Sequence, residues 1–367
     1  MTASDADWMR AALALARRGL GQVAPNPSVG CVLVRDGIVV GRGHTAPGGR
    51  PHAETQALAE AGARSSGATA YVTLEPCAHH GMTPPCAEAL VAAGISRCVV
   101  ALEDPDPRVS GRGIAMLKAS GIAVSIGLLA DEAEAVTAGF LCRIRQGRPL
   151  VTLKLASTLD GRIATSTGES QWITSPASRR LGHLLRYQHD AVLVGSGTAL
   201  ADDPALTVRL PGLEAPPKLR IVIDSRLRTP LTQQLVRDAP RIPTVIITLD
   251  RGAPTRRQAF RDCGVDILEL PPGPDGRVDL GAALQALGRS GLTSVLVEGG
   301  ATLAAALLAA GLIDRIEWFR SAGLIGGDGL AAIGPLGITH LSGQIAGTRQ
   351  AVRRVDEDLL ETWAIRS

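Results

Sequence analysis

The sequence predicts an α/β protein of two domains. Short apolar runs, among them 29–34, 98–102, 191–194 and 294–297, alternate with segments of helical period. The 42 Gly and 23 Pro residues are spread between them, as many strand–helix connections require. The length, 367 residues, fits two or three domains. The chemistry-bearing residues change character after a linker at 146–149. We therefore expect one domain over 1–147 and a second over 148–367.

Composition narrows the function classes. The chain is 45% hydrophobic and 20% charged, enough apolar material for sizeable cores. A net charge of +3 is too small for a nucleic-acid surface, and 2% aromatics cannot build base-stacking platforms. Five of the six cysteines, Cys31, Cys77, Cys86, Cys98 and Cys142, lie before residue 150, and Cys263 follows. A long chain with large apolar segments is no disulfide scaffold, so a reducing, cytoplasmic compartment is expected. Residues 1–7 carry Asp5 and Asp7 and no basic stretch, unlike a signal peptide. No apolar run reaches membrane-spanning length.

In the first domain, 7–18 has helical period with Trp8, Ala11, Ala12 and Leu15 on one face. Pro25-Asn26-Pro27-Ser28 is a turn, and 29–34 a buried strand. Arg35-Asp36-Gly37 turns that strand into a second, 38–43. His52 opens a helix through Ala63, and 70–74 is a strand whose end delivers Glu75-Pro76-Cys77. Cys86 begins the next helix, 87–93. A strand at 98–102, a helix at 114–119, a strand at 123–126 and a helix at 131–145 complete the domain. Cys31 and Cys98 belong to the core.

His52, Cys77 and Cys86 form a candidate zinc site. A neutral imidazole and two thiolates suit Zn(II), and three protein ligands leave a fourth position for water, whose pKa the metal lowers. Glu54, two residues after His52, is placed to move protons between that water and a substrate nitrogen. H-x-E followed by P-C is a zinc-deaminase signature, although eight residues, 78–85, separate the cysteines here where the signature has two. His79 and His80 are rival ligands or substrate contacts. Asn26 is either a turn residue or an amide that reads a pyrimidine edge.

The second domain opens with a strand at 150–156. A helix at 179–187 and strands at 191–194, 219–223, 244–248, 266–270 and 294–297 follow, with a helix at 301–310. Gly195-Ser196-Gly197 follows a strand but lacks the third Gly of a dinucleotide fingerprint. Gly299-Gly300 lies between a strand and a helix, where backbone N–H groups can hold an anion. Two such glycine sites favour a phosphate-bearing cofactor. Residues 226–290 carry no chemistry-bearing pattern.

Residues 25–32 (PNPSVGCV), 51–54 (PHAE), 72–86 (VTLEPCAHHGMTPPC) and 104–113 (DPDPRVSGRG) resemble the deaminase half of the bifunctional deaminase/reductase family of riboflavin biosynthesis. The long inter-cysteine loop is that family's own pattern. LKLASTLDGR, GESQWITS, ADDPALTVR and VEGGATL resemble its reductase half. The resemblance implies a cytidine-deaminase-like three-layer α/β/α domain and a dihydrofolate-reductase-like α/β domain. It implies zinc on His52, Cys77 and Cys86, with Glu54 as proton carrier. It implies an NADPH pocket lined by Ala156, Trp172, Thr198, Asp202, Ser225 and Gly300. Ser170, Arg186, Leu206, Arg209 and Glu298 would hold a ribosyl phosphate. Lys154 and Asp202 are candidate polarising groups near the hydride acceptor. The implied chemistry is zinc-hydroxide deamination of a phosphoribosylamino diaminopyrimidine, then hydride reduction of its ribosyl group to ribityl. A homo-oligomer through the reductase domain is implied too, with neither nucleic acid nor membrane as partner. Two positions depart from the family pattern. Met82 stands where a basic residue is usual, leaving His79, His80 or Arg50 to meet a phosphate. Ser321-Ala322-Gly323-Leu324-Ile325-Gly326 lacks the Pro of the family's A-P-x-x-x-G.

Overall fold

The computed structural model describes residues 3–80, 84–251 and 253–365; Met82 lies outside them. The chain divides into two compact units, 1–148 and 149–367. No helix among the described residues is long and apolar enough to cross a membrane.

The first unit is a five-stranded sheet between helices. In chain order its elements are α1 (Asp5–Ala16), β1 (Gly30–Arg35), β2 (Ile38–His44), α2 (Ala53–Ala61), β3 (Thr69–Val72), α3 (Cys86–Ala92), β4 (Arg97–Val100), α4 (Arg112–Ala119), β5 (Ala123–Ile126) and α5 (Ala130–Gln146). The strands lie in the order β2-β1-β3-β4-β5. β1 runs antiparallel to β2 and β3, while β3, β4 and β5 are parallel. Both faces of the sheet are buried, so the strands read as continuous apolar runs. Cys31, Leu33, Ala70, Val72, Cys98 and Val100 face a core shared with α2, α3 and α4. Val32, Val34, Tyr71 and Val99 point the other way, against Met9, Leu13 and Ala16 of α1. The first helix starts two residues earlier than its apolar period predicts, because Ser4 and Asp7 form a reciprocal capping box.

α2 sits close to the sheet because small residues meet there. A Cβ on Gly41 would come within 2.1 Å of the Ala57 carbonyl, and one on Gly43 within 2.3 Å of the Ala53 carbonyl. Ala53, Ala57 and Ala61, one turn apart, form the facing stripe. This approach fixes the height of the helix start, where His52 is the N-cap.

The second unit is a nine-stranded mixed sheet. Its elements are β6 (Leu150–Ser157), β7 (Arg162–Ala164), α6 (Pro176–Tyr187), β8 (Ala191–Gly195), α7 (Ser196–Asp202), β9 (Leu219–Ile223), α8 (Gln234–Arg237), β10 (Thr244–Leu249), α9 (Pro254–Asp262), β11 (Asp266–Leu270), α10 (Leu280–Arg289), β12 (Ser294–Val297), α11 (Ala301–Ala309), β13 (Arg315–Arg320), β14 (Leu330–Ala331), β15 (Gly347–Val355) and β16 (Asp358–Ile365). The sheet order is β11-β10-β9-β8-β12-β6-β13-β16-β15. All pairs from β11 to β13 are parallel; β16 and β15 add an antiparallel edge. Val151, Leu153, Leu193 and Val295 face α10 and α11, and Val192, Val194, Val222 and Ile246 face Leu235 and Phe260 on the other side.

Part of 226–290, where the sequence shows no chemistry-bearing pattern, braces the fold. Gln233 Nε2 donates to the Ala199 carbonyl at 2.7 Å, and the Gln234 N–H to Asp203 Oδ1 at 2.7 Å. The segment therefore holds α7 in place. Arg220, wholly buried on β9, donates to the Leu235 and Ile242 carbonyls and to Thr244 Oγ1. That cradle of acceptors satisfies the buried guanidinium, and the nearby Asp238 charge offsets part of the cost of burial.

Candidate functional site

In the first unit, His52, Cys77 and Cys86 converge. Their ligand atoms lie within 4.8 Å of one another. His52 Nδ1 is 3.3 Å from Cys86 Sγ and 3.7 Å from Cys77 Sγ. Cys77 and the start of α3 meet directly: the Cys86 N–H donates to Cys77 Sγ at 3.3 Å and the Ala87 N–H to the Cys77 carbonyl at 3.2 Å. The Cys86 thiol's hydrogen bond, outweighing burial and joined by His52, holds Cys77 down at about 4. That same bond, then burial, pushes Cys86 up. Binding of a divalent cation would displace any proton left on these sulfurs, and the N,S,S donor set suits zinc. The residues present fit that metal.

Glu54 is buried in the first turn of α2. Burial, then the charge of Cys77, raises its pKa to about 7. A carboxyl that holds and gives up a proton near neutrality has the property a proton carrier needs. Glu54, His52 and Cys77 line a cavity of about 280 Å3 together with Asn26, Arg50 and His79. Asn26 is both turn residue and wall: its Nδ2 donates to the Gly49 carbonyl at 2.8 Å. His79 Nδ1 is buried there without a hydrogen-bond partner among the described residues. His80 is exposed, with Nε2 3.5 Å from Glu88. Neither joins the metal-ligand cluster.

Sequence reasoning gave no role to Glu75, which the structure makes the clamp of the pocket. Its buried carboxylate accepts the N–H groups of Asp104 (3.2 Å), Gly111 (3.0 Å) and Ile114 (3.1 Å). The loop so held carries Asp104, Asp106 and Arg108 to the cavity wall. Arg108 forks onto Asp106 through Nε and Nη2. The doubled Asp-Pro of this loop was the available signal. Burial raises Asp104 to about 6.

In the second unit the two glycine sites become neighbours. β8 and β12 are adjacent and parallel, so Gly195-Ser196-Gly197 and Gly299-Gly300 leave the same sheet edge side by side. The Gly300 N–H donates to Thr198 Oγ1 at 3.0 Å, which ties the two turns together. A Cβ at Gly299 would come within 2.7 Å of Leu303, whereas one at Gly197 would meet nothing within 4 Å. One glycine serves close helix packing, and the other leaves room at the strand end, where open α/β sheets take ligands. Ser225, at the end of neighbouring β9, accepts the Val278 N–H at 3.1 Å. These turns fit a dinucleotide. Trp172 is 69% exposed under the Arg179 guanidinium, and Asp202 is exposed at the last position of α7.

Arg186 and Glu298 are partners. Arg186 Nε and Nη2 donate to the two Glu298 oxygens at 2.5 and 2.8 Å, and Nη1 to the Thr207 carbonyl at 2.9 Å. Burial opposes the Glu298 carboxylate, but Arg186 outweighs it and holds the pKa at about 2. Burial lowers Lys154, with Glu298 opposing. Arg209 is exposed, its Nη1 donating to Thr207 Oγ1 at 3.2 Å, and Leu206 is buried. His183, absent from the sequence reading, stands beside this group, its Nδ1 3.1 Å from the Thr207 carbonyl. Ser321 and Gly326 stay pinned without the proline: the Ser321 N–H donates to the Ser157 carbonyl and the Gly326 N–H to Asp160 Oδ2.

The first unit has the build of a zinc deaminase, and the second is a parallel sheet with a nucleotide-type edge. Residues 2–102 match the model of the cytidine and deoxycytidylate deaminase zinc-binding region, and 149–359 that of the RibD C-terminal domain. The riboflavin biosynthesis protein RibD of Escherichia coli (strain K12) is 46% identical over 339 residues, covering 88% of this chain and 89% of its own. That of Aquifex aeolicus (strain VF5) is 41% identical, covering 97% of each. The solved structure of Acinetobacter baumannii RibD, form 1, superposes with a TM-score of 0.88 at 39% identity over 99% of each chain. A diaminohydroxyphosphoribosylaminopyrimidine deaminase/5-amino-6-(5-phosphoribosylamino)uracil reductase from Thermotoga maritima gives 0.86 at 32% identity, again over 99% of each. The chain belongs to the RibD family of riboflavin biosynthesis proteins.

Proposed function

We propose that this chain deaminates 2,5-diamino-6-(5-phosphoribosylamino)pyrimidin-4-one in its first unit. Its second unit then reduces the ribosyl group of 5-amino-6-(5-phosphoribosylamino)uracil to ribityl. The observation that carries the first half is the convergence of His52, Cys77 and Cys86 beside buried Glu54. Zinc held by those three residues supplies Lewis acidity that activates water. Glu54 takes the proton that the attacking water gives up, delivers it to a ring nitrogen of the pyrimidine, then takes the hydroxyl proton of the added oxygen and passes it to the departing amine. Asn26 presents its amide to the pyrimidine edge, and the Glu75-clamped loop closes the wall around it.

In the second unit, NADPH supplies the hydride when bound in the pocket of Ala156, Trp172, Thr198, Asp202, Ser225 and Gly300. Ser170, Leu206 and Arg209 position the ribosyl phosphate. The Arg186–Glu298 pair fixes the floor of that subsite, and Lys154 or Asp202 polarises the reacting sugar. The chain works in the cytoplasm, where free cysteines such as these six stay reduced. It associates with itself through the reductase unit. Support for that contact is the edge strand β15, exposed from Gly347 to Arg354, with Leu341 87% exposed nearby.

Ammonia release and zinc content together test the first half. Cys86→Ser should lose both, whereas Glu54→Gln should lose ammonia release alone. Full ammonia release from zinc-free protein would refute the assignment.

A further inference from the structure

Three parallel strands, β9, β8 and β12, end on one edge of the second sheet. Register places Gly195 of β8 beside Ile223 of β9, so Ser196 and the turn after Ile223 emerge together. That turn is built rigidly. Asp224, fully buried, accepts the Thr229 N–H and hydroxyl, each at 2.8 Å. Arg256 of α9 donates to the Leu227 and Thr229 carbonyls, each at 2.8 Å. Two exposed arginines, Arg226 and Arg228, stand on the turn. Arg228 Nη2 donates to Ser196 Oγ at 2.8 Å, bridging the ends of β8 and β9. Among the described residues neither arginine has a carboxylate partner.

We propose that Arg228, steadied by the Ser196 hydroxyl, binds the 2′-phosphate of the dinucleotide and is the residue by which this chain selects NADPH over NADH. This rests on the reductase reading above. NADPH and NADH differ only by that phosphate, and a planar guanidinium fork matches its oxygens. In doubly wound dinucleotide folds, sites that take NADH place a carboxylate at a strand end to receive the 2′-hydroxyl. The acid here, Asp224, is committed to the turn and turned away from solvent. On that turn and the facing end of β8, Arg226, Arg228, Ser196 and Ser225 are what remain to meet the nucleotide. Ser196 positions the guanidinium, and Arg228 makes the contact that discriminates.

Calorimetric titration of the full chain with NADP+ and with NAD+, for wild type, Arg228→Gln and Ser196→Ala, tests this without turnover. Wild type should bind NADP+ at least roughly tenfold more tightly than NAD+. Arg228→Gln should bring the two affinities close together by weakening NADP+ alone, and Ser196→Ala should reduce the ratio by a smaller factor. A purely structural role for Arg228 would weaken both nucleotides equally and keep the ratio, which would overturn the proposal. Wild type that binds both nucleotides equally would also overturn it, while leaving the dinucleotide pocket standing. Wild type that binds neither would overturn the reductase reading with it.

Discussion

At the scale of single residues, environment decides role. Glu54 and Glu75 are both buried carboxyls of the first unit. Glu75 accepts three backbone N–H groups and is spent on holding a loop; Glu54 faces the cavity beside a sulfur pair and is free to carry protons. We predict that Glu54→Gln keeps a full complement of zinc but loses roughly a hundred- to ten-thousandfold in deamination. Metal analysis alongside ammonia release checks this; wild-type turnover would contradict it. The convergence of His52, Cys77 and Cys86 beside Glu54 was legible in sequence because the motif is local and rare in combination. Glu75 was not, because its role depends on contacts with residues 104–114, remote along the chain. The Arg186–Glu298 pair was legible only as two separate substrate contacts, since only the fold brings β12 against α6.

At the scale of elements, close approaches set the geometry. Gly113, in the first turn of α4, leaves room for the Pro76 carbonyl, which an added Cβ would approach to 2.0 Å. Gly113→Ala should therefore push Pro76 and displace Cys77. We expect zinc affinity to fall by about tenfold or more and stability by roughly 1–3 kcal/mol. Competition with a chromogenic chelator reads the first; unchanged affinity would contradict it. In the second unit, His189 ties α6 to β6. Its Nδ1–H donates to the Leu185 carbonyl at 2.7 Å, and Nε2 accepts from the Thr152 hydroxyl at 2.9 Å. Burial lowers its pKa from 6.5 to about 4. The unfolded chain thus binds the proton more readily, and the stability His189 contributes is present above 6.5 and lost as pH falls through 4. The loss is roughly 3 kcal/mol. Denaturant titrations across that window should show a steeper acid decline for wild type than for His189→Asn; equal slopes would contradict it. Most strands and helices with clear periods appear where the sequence puts them. Within 226–290 the strands β10 and β11 were legible, but the bracing contacts of that segment and the β13–β16 edge stayed hidden, because they depend on remote partners and carry neither motif nor strong alternation.

At the scale of the molecule, two kinds of chemistry share one chain, with their residues confined to separate compact units. The zinc residues all precede Arg148, and the dinucleotide turns all follow it. Removing zinc with a chelator should therefore abolish ammonia release while sparing NADPH oxidation with the already deaminated compound. Loss of both would contradict the division of labour. The order of the two steps was legible only through the family resemblance, because spacing and burial name a site but not its substrate. The most direct measurement follows NADPH absorbance with wild type and Glu54→Gln, each given the diaminopyrimidine or its deaminated product. Wild type should oxidise NADPH with either compound, and Glu54→Gln only with the deaminated one. Equal oxidation by the variant with both compounds, or none by wild type with either, would contradict the account.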